Sequence, residues 1–450
     1  MLITNAKLIT WESTNRVLEN FAIRIESDRI KEIGTSKSLI AKYPKAKTID
    51  AHGQYVMPGS ICAHTHFYGT FSRGMSIPGN QPKDFSEILS KLWWALDKVL
   101  TQEDIYYSSL SSLIDAIKHG TTTLIDHHSS PNCIDGSLDV IAQAVEQTGV
   151  RSVLCYEVSD RNGSENARAG ILENTRFLRS IQNSSNKSSR IRASFGLHAS
   201  MTLSSETLDK CREAVPGGIG FHIHAAESTM DEYDSLFKYR MRVIDRLNKH
   251  KILGPKSIVA HAVHVDNLEI MKLLETETWV THQPRSNMNN GVGVAAVESL
   301  LRTGIKLCLG NDGFSNGMWE EWKMAYLLQK SANRDPRSLS AEDVVSIAVY
   351  NNAALANVFF PEAFIGIIKP GAFADLIFVD YQSPTPMNES NLPWHIIYGF
   401  QESMITTTIV SGNILMKDRK LTFLDETEIT TRARAFAKKA WQRYESSAKS

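Results

Sequence analysis

Apolar residues fall along this chain in two regimes. In residues 1–56 they alternate with polar ones over short runs. The runs 2–9, 21–25, 29–33 and 48–49 are rich in β-branched or alternating apolar residues, which predicts strands, and Ser27-Asp28 fits a hairpin turn. Such a set is too small to close a core alone. From Met57 onward, short apolar runs alternate with longer segments of helical period. The short runs predict strands over 57–65, 121–127, 150–157, 191–198, 218–225, 256–261, 277–282 and 305–311. Between them lie helical patterns over 84–98, 102–119, 135–148, 204–214, 230–250, 266–275 and 294–303. Thr101 and Ser204 stand where N-caps are needed, and Gly120 and Gly304 where helices should stop. Two further helical stretches, 318–333 and 340–357, follow the eighth strand.

Eight strands alternating with helices predict an α/β fold with a parallel sheet, and eight is the number that closes a (β/α)8 TIM barrel. Near Gly366 the pattern reverts to strands, over 374–380 and 406–410, with a strand–turn–strand at 410–414. The expected organisation is a small composite β-sandwich domain made of residues 1–56 plus 364–450, with the barrel, residues 57–363, inserted between its halves. The charged amphipathic stretch 426–446 reads as a surface helix packed by one face. Residues 184–189 read as a polar loop.

Composition narrows the function classes. At 450 residues the chain suits a large barrel plus a smaller unit. Lys+Arg and Asp+Glu are both 49, so there is no electrostatic case for nucleic acid or a membrane surface. The five cysteines (62, 133, 155, 211 and 308) form no Cys-x-x-Cys pair, so a cytoplasmic location is expected rather than a disulfide framework. The N-terminus does not read as a signal peptide, and no run of about 18 apolar residues exists to span a bilayer.

Chemistry enters at the strand ends. His64 and His66 close the first barrel strand, and an i, i+2 pair on a strand shares one face. Alone, such a pair reads equally well as two partly buried polar side chains. In a barrel of this type, however, functional residues gather at the C-terminal ends of the strands. His224 ends strand five, His261 ends strand six and Asp312 ends strand eight. Ligand-capable residues at four strand ends converge on one mouth. Three imidazoles and a carboxylate suit one divalent metal, Zn²⁺ or Fe²⁺, with a position left for water. Glu227 lies three residues beyond His224, where a general acid/base would stand. His198 ends strand four, and His127 and His128 end strand two; each could touch substrate or pack. Arg285 and Asn287, after strand seven, could hold substrate or the mouth loops. His264 and His282 read as supporting or core residues. Trp93-Trp94 falls in a helical pattern, where packing is the default. His52, His119, His250 and His395 have no strand-end placement.

Several segments together resemble a known family. They are Met57-Pro-Gly with His64-Thr-His66, His222-Ile-His-Ala-Ala-Glu227, His261, Pro284-Arg-Ser-Asn-Met288, Asn311-Asp-Gly313 and Lys369-Pro-Gly-Ala-Phe-Ala-Asp-Leu376. They resemble the amidohydrolase superfamily across essentially the whole chain, in its ATZ/TRZ-type branch of aminohydrolases, and within it the SsnA group. The resemblance implies that His64, His66, His224 and Asp312 bind one metal. It implies that Glu227 protonates a ring nitrogen of the substrate while hydroxide attacks the adjacent carbon. His261 would orient the attacking water, and Asp312 would take its proton and pass it to the departing amine. His198 matches a substrate-contacting histidine of relatives. Two-metal relatives carry a lysine on strand four; Ser194-Phe-Gly-Leu-His-Ala199 has none, which favours a single metal. Guanine-type deaminases place a glutamine where this chain has Gly69, and an unpaired polar edge costs about 1–3 kcal/mol, so a plain guanine deaminase is not expected. The expected activity is hydrolytic deamination of an amino-substituted purine, pterin or pyrimidine. Hydrolysis of a cyclic ureide or amide, or of a C–Cl bond, is the alternative, and an inactive scaffold is the alternative of another class. The resemblance also implies a homo-oligomer.

Overall fold

Gly59 divides the chain between two sheets. In the computed structural model, which describes residues 1–183 and 190–447, Tyr55–Pro58 belongs to a mixed sheet and Ser60–Thr65 to the barrel. The single strand expected over 57–65 is therefore two strands in two sheets. The reason is steric. A Cβ on Gly59 would lie 2.2 Å from Thr122 Cγ2, so only glycine lets the backbone turn this close to the second barrel strand. The polar loop expected at 184–189 lies outside the described residues.

The eight barrel strands are Ser60–Thr65, Thr121–Asp126, Arg151–Leu154, the pair Ile191–Ala193 and Phe195–Ala199, Phe221–Ala225, Ile258–His261, Trp279–His282 and Leu307–Leu309. Their ladders are all parallel. Strand four is broken at Ser194: its first part pairs with strand three and its second with strand five. Strands eight and one meet through irregular bonds, Asn311 N–H to the His64 carbonyl and His66 N–H to the Asp312 carbonyl, both 3.0 Å. These bonds lie at the mouth, so the closure of the ring and the placement of two site residues are one set of contacts.

Helix boundaries follow their local chemistry. Thr101 and Asp104 form a capping box, and Ser204 accepts from the Thr207 amide. Gly120 (φ +70°) and Gly304 (φ +84°) follow helix ends in the left-handed region. The stretch 230–250 is two helices, Thr229–Tyr239 and Val243–Lys249, because Arg240 leaves the helix at φ +57°. The helix Ser164–Asn183 lies where the sequence reading named no element, and its buried face includes Gly170, Glu173 and Asn174. Asn174 Oδ1 accepts from the amides of Tyr156 (2.9 Å) and Gly196 (3.3 Å), tying strands three and four together just below the mouth.

The N- and C-terminal segments build one nine-stranded mixed sheet: eight strands form a path, and Thr48–Asp50 branches from it by pairing with Leu2–Ile9. Tyr55–Pro58 pairs in parallel with Leu2–Ile9 and antiparallel with Leu376–Val379. Ile3, Leu8, Ile23, Val56, Leu376 and Phe378 share its core. The last helix, Glu426–Ser447, packs by one face on Gln102–Lys118, burying Ala433 and Ala440. Its Trp441 Nε1 donates to the Phe71 carbonyl (2.7 Å) and its Tyr444 hydroxyl to the Lys91 carbonyl (2.6 Å), bracing two loops that border the mouth. Among the described residues no helix is long and apolar enough to cross a membrane.

One ion pair joins barrel and sheet. Arg151, on barrel strand three and fully buried, donates Nε to Asp375 Oδ2 at 2.9 Å, and its guanidinium lies 3.9 Å from the Phe373 ring centroid. Asp375 also accepts the Ser411 amide at 2.6 Å. Removing one partner of such a pair strands a buried charge. Asp375→Ala is expected to destabilise the fold by about 3–5 kcal/mol, read by urea unfolding followed through tryptophan fluorescence.

Candidate metal centre and active site

Four imidazoles turn their lone pairs toward one carboxylate. His224 Nδ1 lies 2.9 Å from the His198 carbonyl, and His66 Nδ1 faces the His127 carbonyl. A carbonyl only accepts, so in both rings Nδ1 carries the hydrogen and Nε2 the lone pair. His261 Nδ1 lies 2.8 Å from Asn287 Oδ1, with the same consequence. His64 Nδ1 pairs with His222 Nε2 at 2.9 Å. The inward Nε2 atoms are crowded. That of His66 lies 3.2 Å from His224 Nε2 and 3.0 Å from Asp312 Oδ1, and that of His64 lies 3.3 Å from the same oxygen. His64, His224, His261 and Asp312 each offer one ligand atom within 4.8 Å of all the others. Among the described residues the buried Nε2 atoms of His64 and His261 make no hydrogen bond of ordinary geometry, that of His64 lying 3.3 Å from Asp312 Oδ1. Lone pairs packed against a carboxylate repel unless a cation lies among them, so this donor set fits a divalent metal, with the outer ring nitrogens already held in place.

With only protons to share, the cluster puts its positive charge on His66. Burial pushes His64 down to about 3 and holds His224 well below the usual imidazole range. Burial also opposes charge on His66, but the hydrogen bond and charge of Asp312 outweigh it and lift His66 to about 9. Burial opposes ionisation of Asp312 as well, yet its bonds to His64 and His66 hold it well below the usual carboxylate range. The backbone here is strained: Asp312 (φ +58°), His261 (φ +76°), Ala226 (φ +51°) and Ala262 (φ +46°) are non-glycine residues in the left-handed region. Ser286 Oγ donates to Asp312 Oδ2 at 2.5 Å and holds the carboxylate in this orientation.

Glu227 stands beside the cluster, its Oε2 3.6 Å from His261 Nε2. Burial, reinforced by the negative charge of Asp312, keeps its carboxyl well above the usual carboxylate range, which favours its protonated form. The pocket in front is walled by Tyr68, Phe85, Trp93 and Trp94, with His198 at its side. Trp93 and Trp94, read from the helical pattern as packing residues, thus line the cavity. Gly69 has a packing role of its own: a Cβ there would sit 3.3 Å from Gly313 Cα.

Two expected substrate contacts do not reach the pocket. Arg285 is drawn away by acids on the following helix, binding Glu321 Oε1 at 2.5 Å and also Glu320. His128 points to Ser130 Oγ at 2.9 Å and sits against the Tyr68 ring rather than in the cavity. His264 donates to the Val292 carbonyl, and His282 is buried off the pocket. Two acidic residues of the pocket, Asp97 and Glu157, escape the strand-end reading. Glu157 carried a usable signal, a charged residue closing the apolar run 150–157. Asp97 lies on the helix Trp94–Lys98 and carried none.

Known proteins share this architecture along its length. The chain is 31% identical over 442 residues to the 5'-deoxyadenosine deaminase of Methanosarcina mazei, covering 97% of each chain. It is 31% identical to the 5-methylthioadenosine/S-adenosylhomocysteine deaminase of Pelotomaculum thermopropionicum, covering 96% of this chain and 97% of that one. An adenosine deaminase from Xanthomonas campestris, solved with bound zinc, superposes with a TM-score of 0.84 at 21% identity over 98% of both chains. The atrazine chlorohydrolase TrzN of Arthrobacter aurescens, complexed with zinc, gives 0.82 at 19% over 97% of this chain and 99% of that one. The model of the amidohydrolase family matches residues 55–415, and with these relatives it establishes that the chain belongs to that family.

Proposed function

We propose that this protein is a zinc-dependent aminohydrolase that releases ammonia from a 6-aminopurine ring or its nucleoside. The observation that carries the reading is the buried Glu227 carboxyl 3.6 Å from His261 Nε2, beside the cluster of imidazoles and Asp312. The full-length relatives named as deaminases of adenine nucleosides support the substrate class, and the zinc in two solved neighbours supports the choice of metal.

His64, His66, His224 and Asp312 would hold one zinc ion. Such an ion lowers the pKa of a bound water from about 15.7 toward about 7. The remaining work falls to side chains. Glu227 gives its proton to the ring nitrogen next to the amino-bearing carbon, which makes that carbon electrophilic. His261, its ring fixed by Asn287, presents Nε2 to the attacking water and orients it. Asp312 accepts the proton released as the C–O bond forms and passes it to the amine, so that ammonia leaves as the C–N bond breaks, and the hydroxyl proton lost as the carbonyl forms returns to Glu227. The aromatic walls exclude bulk water and hold the flat ring. The resemblance to a chlorohydrolase keeps displacement of chloride as a second reading, distinguished by the product released.

Purified protein is expected to carry one zinc per chain by elemental analysis. Dialysis against a chelator should abolish ammonia release from adenosine-type substrates, and added zinc should restore it. Glu227→Gln is expected to keep its zinc yet lose turnover by about 10²–10⁴-fold. Loss of zinc in that variant would place Glu227 among the ligands instead, and silence of the wild type on every amino-bearing ring would end the aminohydrolase reading.

A further inference from the structure

Two consecutive tryptophans, Trp93 and Trp94, wall one pocket together with Phe85 and Leu89. An ordinary α-helix does not allow this. At 3.6 residues per turn, Trp93 would stand about 40° from Leu89 around the helix axis and Trp94 about 140° from it. The backbone supplies the difference. Between the α-helical segments Phe85–Ile88 and Trp94–Lys98, residues Leu89–Trp93 form a π-turn, in which the Trp94 amide reaches back five residues to the Leu89 carbonyl. The extra residue widens the turn, so the positions four and five beyond Leu89 flank one face.

Both rings meet the site. Trp93 lies over the backbone that follows Asp312: a Cβ on Gly313 would sit 3.3 Å from Trp93 Cη2. The Trp93 ring stands edge-on to Tyr68, their centroids 6.5 Å apart. The Trp94 ring lies 6.1 Å from that of His198, and the Arg161 guanidinium is 5.4 Å from its centroid. What holds the turn comes from the far end of the chain. The Tyr444 hydroxyl, on the helix Glu426–Ser447, donates at 2.6 Å to the carbonyl of Lys91, the middle residue of the turn. Tyr444 is 1% exposed, so water does not compete for this bond. Beside it, Arg443 Nε donates at 2.9 Å to the carbonyl of Val99, just past the Trp94–Lys98 segment. A π-turn is rare against the α register, and one net hydrogen bond shifts such an equilibrium about three- to tenfold.

We propose that Tyr444 is a positioning residue for the pocket: through the Lys91 carbonyl it selects the π-turn over the α register, and so sets Trp93 and Trp94 as one wall against the substrate ring. The inference rests on the aminohydrolase reading for the identity of that ring. Loss of the hydroxyl alone leaves the phenyl ring in place and touches no metal ligand. It frees the turn to close by one residue, which carries Trp94 off the pocket face.

The test reads the wall first and the ligand second. Zinc-loaded Glu227→Gln protein is labelled with 5-fluorotryptophan at its eight tryptophans, and Trp93→Phe and Trp94→Phe assign the two resonances by fluorine NMR. Adding Tyr444→Phe should move both resonances. It should also weaken the binding of adenine, read by equilibrium dialysis, by about three- to tenfold with zinc retained. Ala435→Gly is the control: it weakens the same helix at an exposed position away from the turn, and should leave both resonances and the affinity unchanged. The proposal is overturned if Tyr444→Phe leaves both resonances in place, if they move while adenine binds as before, if Ala435→Gly has the same effects, or if Tyr444→Phe loses zinc. The aminohydrolase reading fails separately: a parent that binds no aminopurine, and a wild type that releases no ammonia, end that reading, while the fluorine spectra still decide whether Tyr444 sets the wall.

Discussion

Mutual repulsion among inward-facing lone pairs is the constraint on which the rest of this molecule depends. Backbone carbonyls take the outer hydrogens of His66 and His224, and Asn287 takes that of His261. Each of these bonds fixes a ring and aims its bare nitrogen inward. The result is costly without a positive charge at the centre, because water is excluded and the groups are too close to screen one another. The fold sustains this arrangement through the parallel barrel, which is buried throughout, and through left-handed backbone at four residues of the mouth. The low basicity of His64 and His224 follows from the same burial, so at these two rings, unlike His66, protons compete poorly with a metal.

The same burial divides the carboxylates by role. The imidazoles beside Asp312 hold it well below the usual carboxylate range, while burial and the charge of Asp312 push Glu227 well above it. Glu157 resembles Asp312 in its imidazole neighbours and is ionised, yet one of its oxygens faces open pocket. Acids of similar intrinsic strength are thus pushed in opposite directions within one pocket. The difference lies in what stands within about 4 Å of each.

Much of the site was legible in sequence because barrel geometry converts position into place. An apolar run ending in histidine or aspartate puts that residue at the mouth, which is why His64, His66, His224, His261 and Asp312 could be gathered from four short segments. The contacts that were not legible are those decided by competition. Arg285 follows a strand as the ligands do, but Glu321, fully buried on another helix, captures it. His128 follows a strand too, but its neighbour His127 and the Tyr68 ring leave it behind the wall. The division at Gly59 was hidden because Tyr55–Pro58 and Ser60–Thr65 are both apolar, and hydropathy does not record which sheet a strand joins. The helix Ser164–Asn183 was hidden for the opposite reason, since polar Asn174 faces inward to bind strand backbone.

The position of Tyr55–Pro58 bears on how the chain emerges from the ribosome. This strand lies between one partner made just before it and another, Leu376–Val379, made only after every barrel strand has been synthesised. Throughout that interval one edge of the early sheet presents unpaired amide and carbonyl groups, and Arg151 waits without Asp375. The nascent chain is thus open along one seam until its last fifth appears. Arrival of the Lys369–Leu376 segment closes the sheet and neutralises the buried guanidinium together, which makes this motif a clasp for the finished fold rather than a part of its chemistry.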